Sequence, residues 1–197
     1  MRLISVQKVA LACVLLFSLF LSACTDAWIK VAQADLPILT QMALNLGSLA
    51  STLQGGELDA GEVARIQALS AEADKNLKLL QKLVNDYRAT KDQTVKQSLL
   101  TQIQNVIGVI NTNLPALLNA LHIKNAELAA RINAGTGLIL ATVASFAALL
   151  PQNQGTAAKA GPPPNPKDLK ADWNRLIAAP TTSSAKVNAA LSQVKIQ

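Results

Sequence analysis

The side chains equipped for chemistry in this chain of 197 residues are few: one histidine, His122, two cysteines, Cys13 and Cys24, and a group of carboxylates. A nucleophile triad, a zinc centre or a carboxylate-bridged di-iron bundle needs histidine with partners. The Glu-x-x-His spacing of the last fails, because Asn119 stands three residues before His122. His122 therefore reads as a surface or helix-boundary residue. Gly135-Thr136-Gly137 lacks the third glycine of a dinucleotide loop, and no Gly-Lys-Ser/Thr phosphate loop occurs. The acids Glu57, Asp59, Glu62, Glu72 and Asp74 gather along the start of one expected helix, where carboxylates complement the helix N-terminus and solvate a face. No catalytic residue, metal-ligand set or cofactor is expected, and these residues point away from an enzyme.

The cysteines are informative in another way. A short basic region, Arg2 and Lys8, precedes the apolar run from Val9 to Phe20, as in a secretory signal. Leu21-Ser22-Ala23-Cys24 follows it directly, an aliphatic residue, two small residues and a cysteine. This segment resembles the lipobox of bacterial lipoproteins, and the resemblance covers only the first part of the chain. It implies that Cys24 carries a diacylglyceryl group, that signal peptidase II cuts before it, and that the new amino terminus is acylated, with palmitate-type chains as the anchor. Each buried methylene contributes about 0.8 kcal/mol, and two or more chains hold a protein stably on a membrane. Cys13 would leave with the signal, residues 1–23. Thr25 is not the Asp this class commonly uses for inner-membrane retention, which favours the periplasmic face of an outer membrane where the cell has two. Asp26 lies one place further on, where other lineages read a retention signal.

The elements that would carry these residues are helical. Half of the chain is hydrophobic but only 3% is aromatic, a composition that excludes a disordered chain and argues against an all-β fold. Apolar residues recur with alternating spacings of three and four. The first seam is Ala32, Leu36, Leu39, Ala43, Leu46, Ala50 and Leu53, ended by Gly55-Gly56. Pro37 leaves two readings open, a regular helix starting there or a kinked one. The second seam runs through Ile66, Ser70, Ala73, Leu77, Leu80, Val84 and Tyr87, with Asp59 and Glu62 spaced as a capping box. Val95, Leu99, Ile103, Val106 and Ile110 mark a third helix, with Asn111-Thr112-Asn113 as its stop. Asn113 then caps a fourth, opening at Leu114-Pro115 and continuing through Leu118, Leu121, Asn125, Leu128, Ile132, Gly135, Ile139, Thr142, Phe146 and Leu149. Small residues on the seams, Ala43, Ala50, Ala73 and Gly135, suit close helix approach. Asp35-Leu36-Pro37 and Asn113-Leu114-Pro115 echo one another, as a duplicated hairpin or as two independent helix starts.

The expected fold is thus all-α, an antiparallel (up-down-up-down) four-helix bundle over residues 24–150 with a Pro/Gly-rich linker at 151–166 and a short helical C-terminal tail at 167–197. In the tail Leu169, Trp173, Leu176 and Ile177 share one face of a helix that Pro180 ends, and Val187, Ala190, Leu191 and Val194 mark a second. From Cys24 to Ala158 ten Lys+Arg balance ten Asp+Glu, whereas from Lys159 onward six Lys+Arg face two Asp, so the tail carries +4. No basic-aromatic platform for nucleic acid is present. A basic tail near a membrane could meet anionic headgroups or an acidic wall polymer.

These readings converge on a lipid-anchored cell-envelope protein, non-catalytic, scaffolding or binding an envelope protein or wall polymer. Trp173, Leu176 and Ile177 are the candidate partner contacts, with packing onto their own bundle as the alternative. Two other function classes remain. One is a carrier of a small apolar ligand in the bundle core. The other is a membrane-active protein in which Ile132 to Leu150, free of charge and long enough to span a bilayer, crosses the membrane instead of filling the core.

Overall fold

The structure, a computed structural model, describes residues 27–151, 165–181 and 184–197. The signal segment 1–23, the lipobox with Cys24 and residues 152–164 of the linker lie outside the described residues.

Among the described residues the chain is all-helical. Helix α1 spans Ala27–Leu53, α2 Ala60–Ala89, α3 Gln93–Asn119, α4 Ala126–Ala148, α5 Pro166–Leu176 and α6 Ala185–Gln193. Helix α1 is the hub, packing on α2, α4, α5 and α6, while α2 also packs on α3, and α4 on α3 and α5. Every residue of its expected seam, from Ala32 to Leu53, is buried. So is every residue expected on the seam of α2. Burying a Leu or Ile side chain contributes roughly 1.5–3 kcal/mol, so these two seams dominate the core.

Helix α1 begins ten residues before Pro37 and runs through it. Pro37 has no N–H for the Gln33 carbonyl, but it faces solvent, where water can take that acceptor. Gly55, at φ +73°, ends the α1 segment in the left-handed region that glycine adopts without strain. The capping box then forms as the spacing predicts. Asp59 Oδ1 accepts from Glu62 N at 2.9 Å, and Glu62 Oε2 accepts from Asp59 N at 2.7 Å.

The expected break at Asn111–Asn113 does not occur. Helix α3 continues through Leu114 and Pro115 to Asn119, and Val95, expected on its seam, is exposed. Asn113 is not a cap: its Nδ2 donates sideways to Glu72 Oε1 of α2 at 2.9 Å, while Leu114 is buried in the core. The two side chains hold the turn around Pro115 helical. Helix α4 instead starts eleven residues later than Leu114-Pro115 suggests, capped by Asn125, whose Oδ1 accepts from the N–H groups of Glu127 and Leu128. Leu118 belongs to α3, and Leu121 to the α3–α4 connection. Neither member of the Leu-Pro echo starts a helix.

Small residues are used for approach. Ser70 Oγ donates to the Ala43 carbonyl at 2.6 Å across the α1–α2 contact, and a Cβ on Gly47 would stand 2.7 Å from that hydroxyl.

The tail is part of the same core. Leu169, Trp173 and Ile177 are fully buried, as are Val187, Ala190, Leu191 and Val194. Trp173 Nε1 donates to the Val194 carbonyl at 2.8 Å, and Asn45 Nδ2 of α1 donates to the same oxygen at 2.9 Å. Arg131 Nη1 of α4 reaches the Ile177 carbonyl at 2.7 Å.

Candidate functional site

The expected partner contacts are withdrawn from the surface. Trp173 and Ile177 have no exposed area and Leu176 is half-buried against the core. The physical reason is Gly135 of α4, which leaves open the space the indole fills: a Cβ there would stand 3.1 Å from Trp173 Cζ3 and 3.2 Å from Ile177 Cδ1. The aromatic face that the sequence offers to a partner is satisfied within the chain.

The acidic group is likewise occupied with joining elements. Glu62, only 2% exposed, accepts the Lys124 backbone N–H at Oε1 (2.7 Å) as well as the N–H of Asp59, and so ties the α1–α2 turn to the α3–α4 connection. Glu57 accepts from Asn125 Nδ2 and from Ser184 Oγ. Asp59 pairs with Lys124 Nζ at 2.9 Å; the Glu62 N–H and that ammonium hold its carboxyl below the ordinary range and the ammonium above its own. Glu72 is held low by Asn113 and Asn76, which both donate to it. Asp74 pairs with Lys78. His122 is exposed in the α3–α4 connection, its Nδ1 3.0 Å from the Ala120 carbonyl oxygen. Among the described residues no cluster of three metal-ligating side chains occurs.

Helix α4 is apolar and long enough to cross a membrane. In the structure it lays Leu128, Ile132, Gly135, Ile139, Val143 and Phe146 against its neighbours. Its exposed positions include Ala130, Asn133, Gly137, Ala141 and Ala144, small residues rather than the large apolar ones that favour lipid.

Where α1 starts, α2 ends and α3 starts, the chain forms a cleft of about 280 Å³ lined by Ile29, Lys30, Gln33, Tyr87, Arg88 and Lys96. An aromatic cluster supports it: Trp28 stacks at a tilt on Tyr87, centroids 5.0 Å apart, and on Phe146 of α4 at 5.8 Å. Among the described residues three cations and no carboxylate line the cleft. Two of them are positioned. Arg88 Nη1 donates to Gln33 Oε1 at 3.0 Å, and Gln33 is itself fixed by donating through Nε2 to Asn85 Oδ1 at 3.0 Å. Lys96 Nζ lies 5.3 Å from the Tyr87 ring centroid, within cation–π range. No ion pair among the described residues takes up Lys30, Arg88 or Lys96. Such a site can hold an anion by charge-assisted hydrogen bonds.

The sequence reading missed this cleft because charge was summed along the chain. Ten cations balance ten acids between Cys24 and Ala158, yet Glu57, Asp59 and Glu62 stand around the α1–α2 turn while Lys30, Arg88 and Lys96 meet at the other end of α1, in a cleft that no carboxylate among the described residues lines. The signal was present as Lys in the first turn of α1, Arg in the last turn of α2 and Lys in the first turn of α3, positions that fall together once consecutive helices turn back on one another. Comparison of the chain with protein-family models, curated proteins and solved structures finds no match.

Proposed function

We propose that the chain is an envelope lipoprotein, acylated on Cys24 and standing on the membrane as a non-catalytic helical scaffold that binds an envelope component. The observation that carries this reading is the order of residues at the N-terminus: Leu21-Ser22-Ala23-Cys24 closes an apolar run, and α1 opens at Ala27, three residues beyond the acylated cysteine. A packed body this close to an anchor stays at the lipid surface. The face toward the periplasm at the outer membrane is favoured by Thr25 where the cell has two membranes, and the partner is an envelope protein or wall polymer.

The body fits an up-down-up-down bundle of α1 to α4. Support comes from contact pairs that run in opposite senses along neighbouring helices: Gln33 with Asn85 and Ser51 with Gln67 for α1 and α2, Tyr87 with Lys96 and Glu72 with Asn113 for α2 and α3. Such a bundle with its tail folded in presents a surface, and the two shortest routes to a function are the ends of the helices and their exposed faces.

Metabolic labelling with an alkyne analogue of palmitate in a bacterial host tests the anchor. The chain should take up label and accumulate as unprocessed precursor when signal peptidase II is inhibited. A Cys24→Ala variant should do neither. Processing that persists in the variant and ignores the inhibitor would replace this reading with an ordinary secreted protein.

A further inference from the structure

We infer that the cleft between the start of α1, the end of α2 and the start of α3 is a binding site for a phosphate-bearing anion, supplied by a phospholipid headgroup. The choice of headgroup as the source rests on the anchored reading above; the anion chemistry of the cleft does not.

Charge comes first. Three cations from three helices share a small space, and their mutual repulsion is relieved by an anion between them. Near Arg88 and Lys96 in sequence, Asp92 Oδ1 accepts from the N–H groups of Thr94 and Val95 at the start of α3, and Asp86 pairs with Lys82 at 2.6 Å; Asp26, four residues before Lys30, lies outside the described residues.

Preorganisation comes second. An ordinary solvated lysine or arginine loses rotamer freedom when it binds, and that loss weakens binding. Here Arg88 is already held by the Gln33–Asn85 relay and Lys96 by the Tyr87 ring. Arg88 spends Nη1 on Gln33, and its other guanidinium donors remain to meet two phosphate oxygens. Lys30, exposed in the first turn of α1, supplies the third cation.

Size and position decide the ligand class. A cleft of about 280 Å³ accepts a phosphate with a glycerol-sized substituent and is too small for acyl chains. Lys30 lies six residues from Cys24, so an anchor in the bilayer brings the headgroup layer to the cleft. Basic groups at such a surface favour anionic lipid.

The test uses the full chain purified in dodecyl maltoside, a preparation obtainable whether or not Cys24 is acylated, so that failure of the anchor and failure of the cleft are told apart. Titration calorimetry in phosphate-free buffer compares inorganic phosphate with dihexanoyl phosphatidylglycerol. The native chain should bind the lipid saturably. The variant K30Q/R88Q/K96Q should bind it at least tenfold more weakly. A variant with the same loss of charge on the exposed C-terminal segment, K167Q/K186Q/K195Q, should stay within twofold of native. Lipid binding without phosphate binding identifies the headgroup as the ligand; equal binding of both upholds the anion site and assigns it to free phosphate. Absence of saturable binding by either, or equal weakening in the two variants, overturns the proposal, with circular dichroism showing that both variants keep the native helix content.

Discussion

Trp173 of the C-terminal segment occupies the space that Gly135 leaves open on α4: a side-chain carbon at 135 would stand 3.1 Å from the indole, 3.2 Å from Ile177 Cδ1 and 3.3 Å from Leu46 Cδ2. All three neighbours are buried, so none can swing aside into solvent. Gly135→Ala should therefore lower stability by roughly 1 kcal/mol or more through overpacking, in spite of the better helix propensity of alanine. Gly137, two residues on in the same helix, faces open space. Gly137→Ala should raise stability by about 0.5–1 kcal/mol. Urea midpoints moving in opposite directions for these two variants would establish the fit of indole to glycine; equal stabilisation would remove it.

The same indole measures how far the C-terminal segment belongs to the core. Trp173→Ala should cost roughly 3–5 kcal/mol, as for other fully buried aromatic residues. Trp173→Phe keeps much of the packing but loses the 2.8 Å donation to Val194 O, worth about 1 kcal/mol. That carbonyl still accepts from Asn45. Thermal unfolding of the alanine variant close to that of the native chain would return Trp173 to the surface and to a partner.

Pro115 offers a test of how α3 is held. It lies four residues from the C-terminal end of α3 and gives no N–H to the Asn111 carbonyl. Were it the first residue of a helix, proline would suit the site and alanine would gain nothing. Inside the helix, Pro115→Ala restores a backbone donor and should stabilise the protein by about 1 kcal/mol or more, up to the roughly 3 kcal/mol that separates the two residues in a helix interior. A destabilised variant would contradict a continuous α3.

What the sequence discloses and what it hides follow from the range of the forces involved. The seams of α1 and α2 and the Asp59–Glu62 capping box are local patterns, set by residues three or four apart, and all are legible. Asn113 is misleading because its side chain has two uses of similar strength, capping its own helix or donating to Glu72 on another, and only tertiary packing decides between them. The fit of Trp173 against Gly135 joins residues on separate helices, and neither residue announces the other. The cationic cleft is hidden for the same reason: Lys30, Arg88 and Lys96 are unremarkable singly and acquire meaning only from the end of the structure they share.

Asp35 gives a pH dependence of unusual sign. It is 3% exposed, and among the described residues neither carboxylate oxygen has a hydrogen-bond partner, nor does the indole nitrogen of Trp28. Burial pushes its carboxyl up from 3.8 to about 6. Between those values the folded chain binds the proton more readily than the unfolded chain does, so acidification stabilises the fold and the penalty is complete above pH 6. Asp59 and Glu72, held below the ordinary range by their donors, act in the opposite sense, and their contribution is lost as pH falls through their lowered values. Stability measured by urea unfolding should therefore rise as pH falls from about 7 toward about 4 and fall again below that. Asp35→Asn, equal in size but without the charge, should be more stable than the native chain at pH 7.5 and should lack the rise on mild acidification. The acid limb below pH 4 should remain in the variant. A native and a variant chain with parallel profiles between pH 7.5 and 5 would mean that water or a counter-charge already satisfies Asp35 in solution.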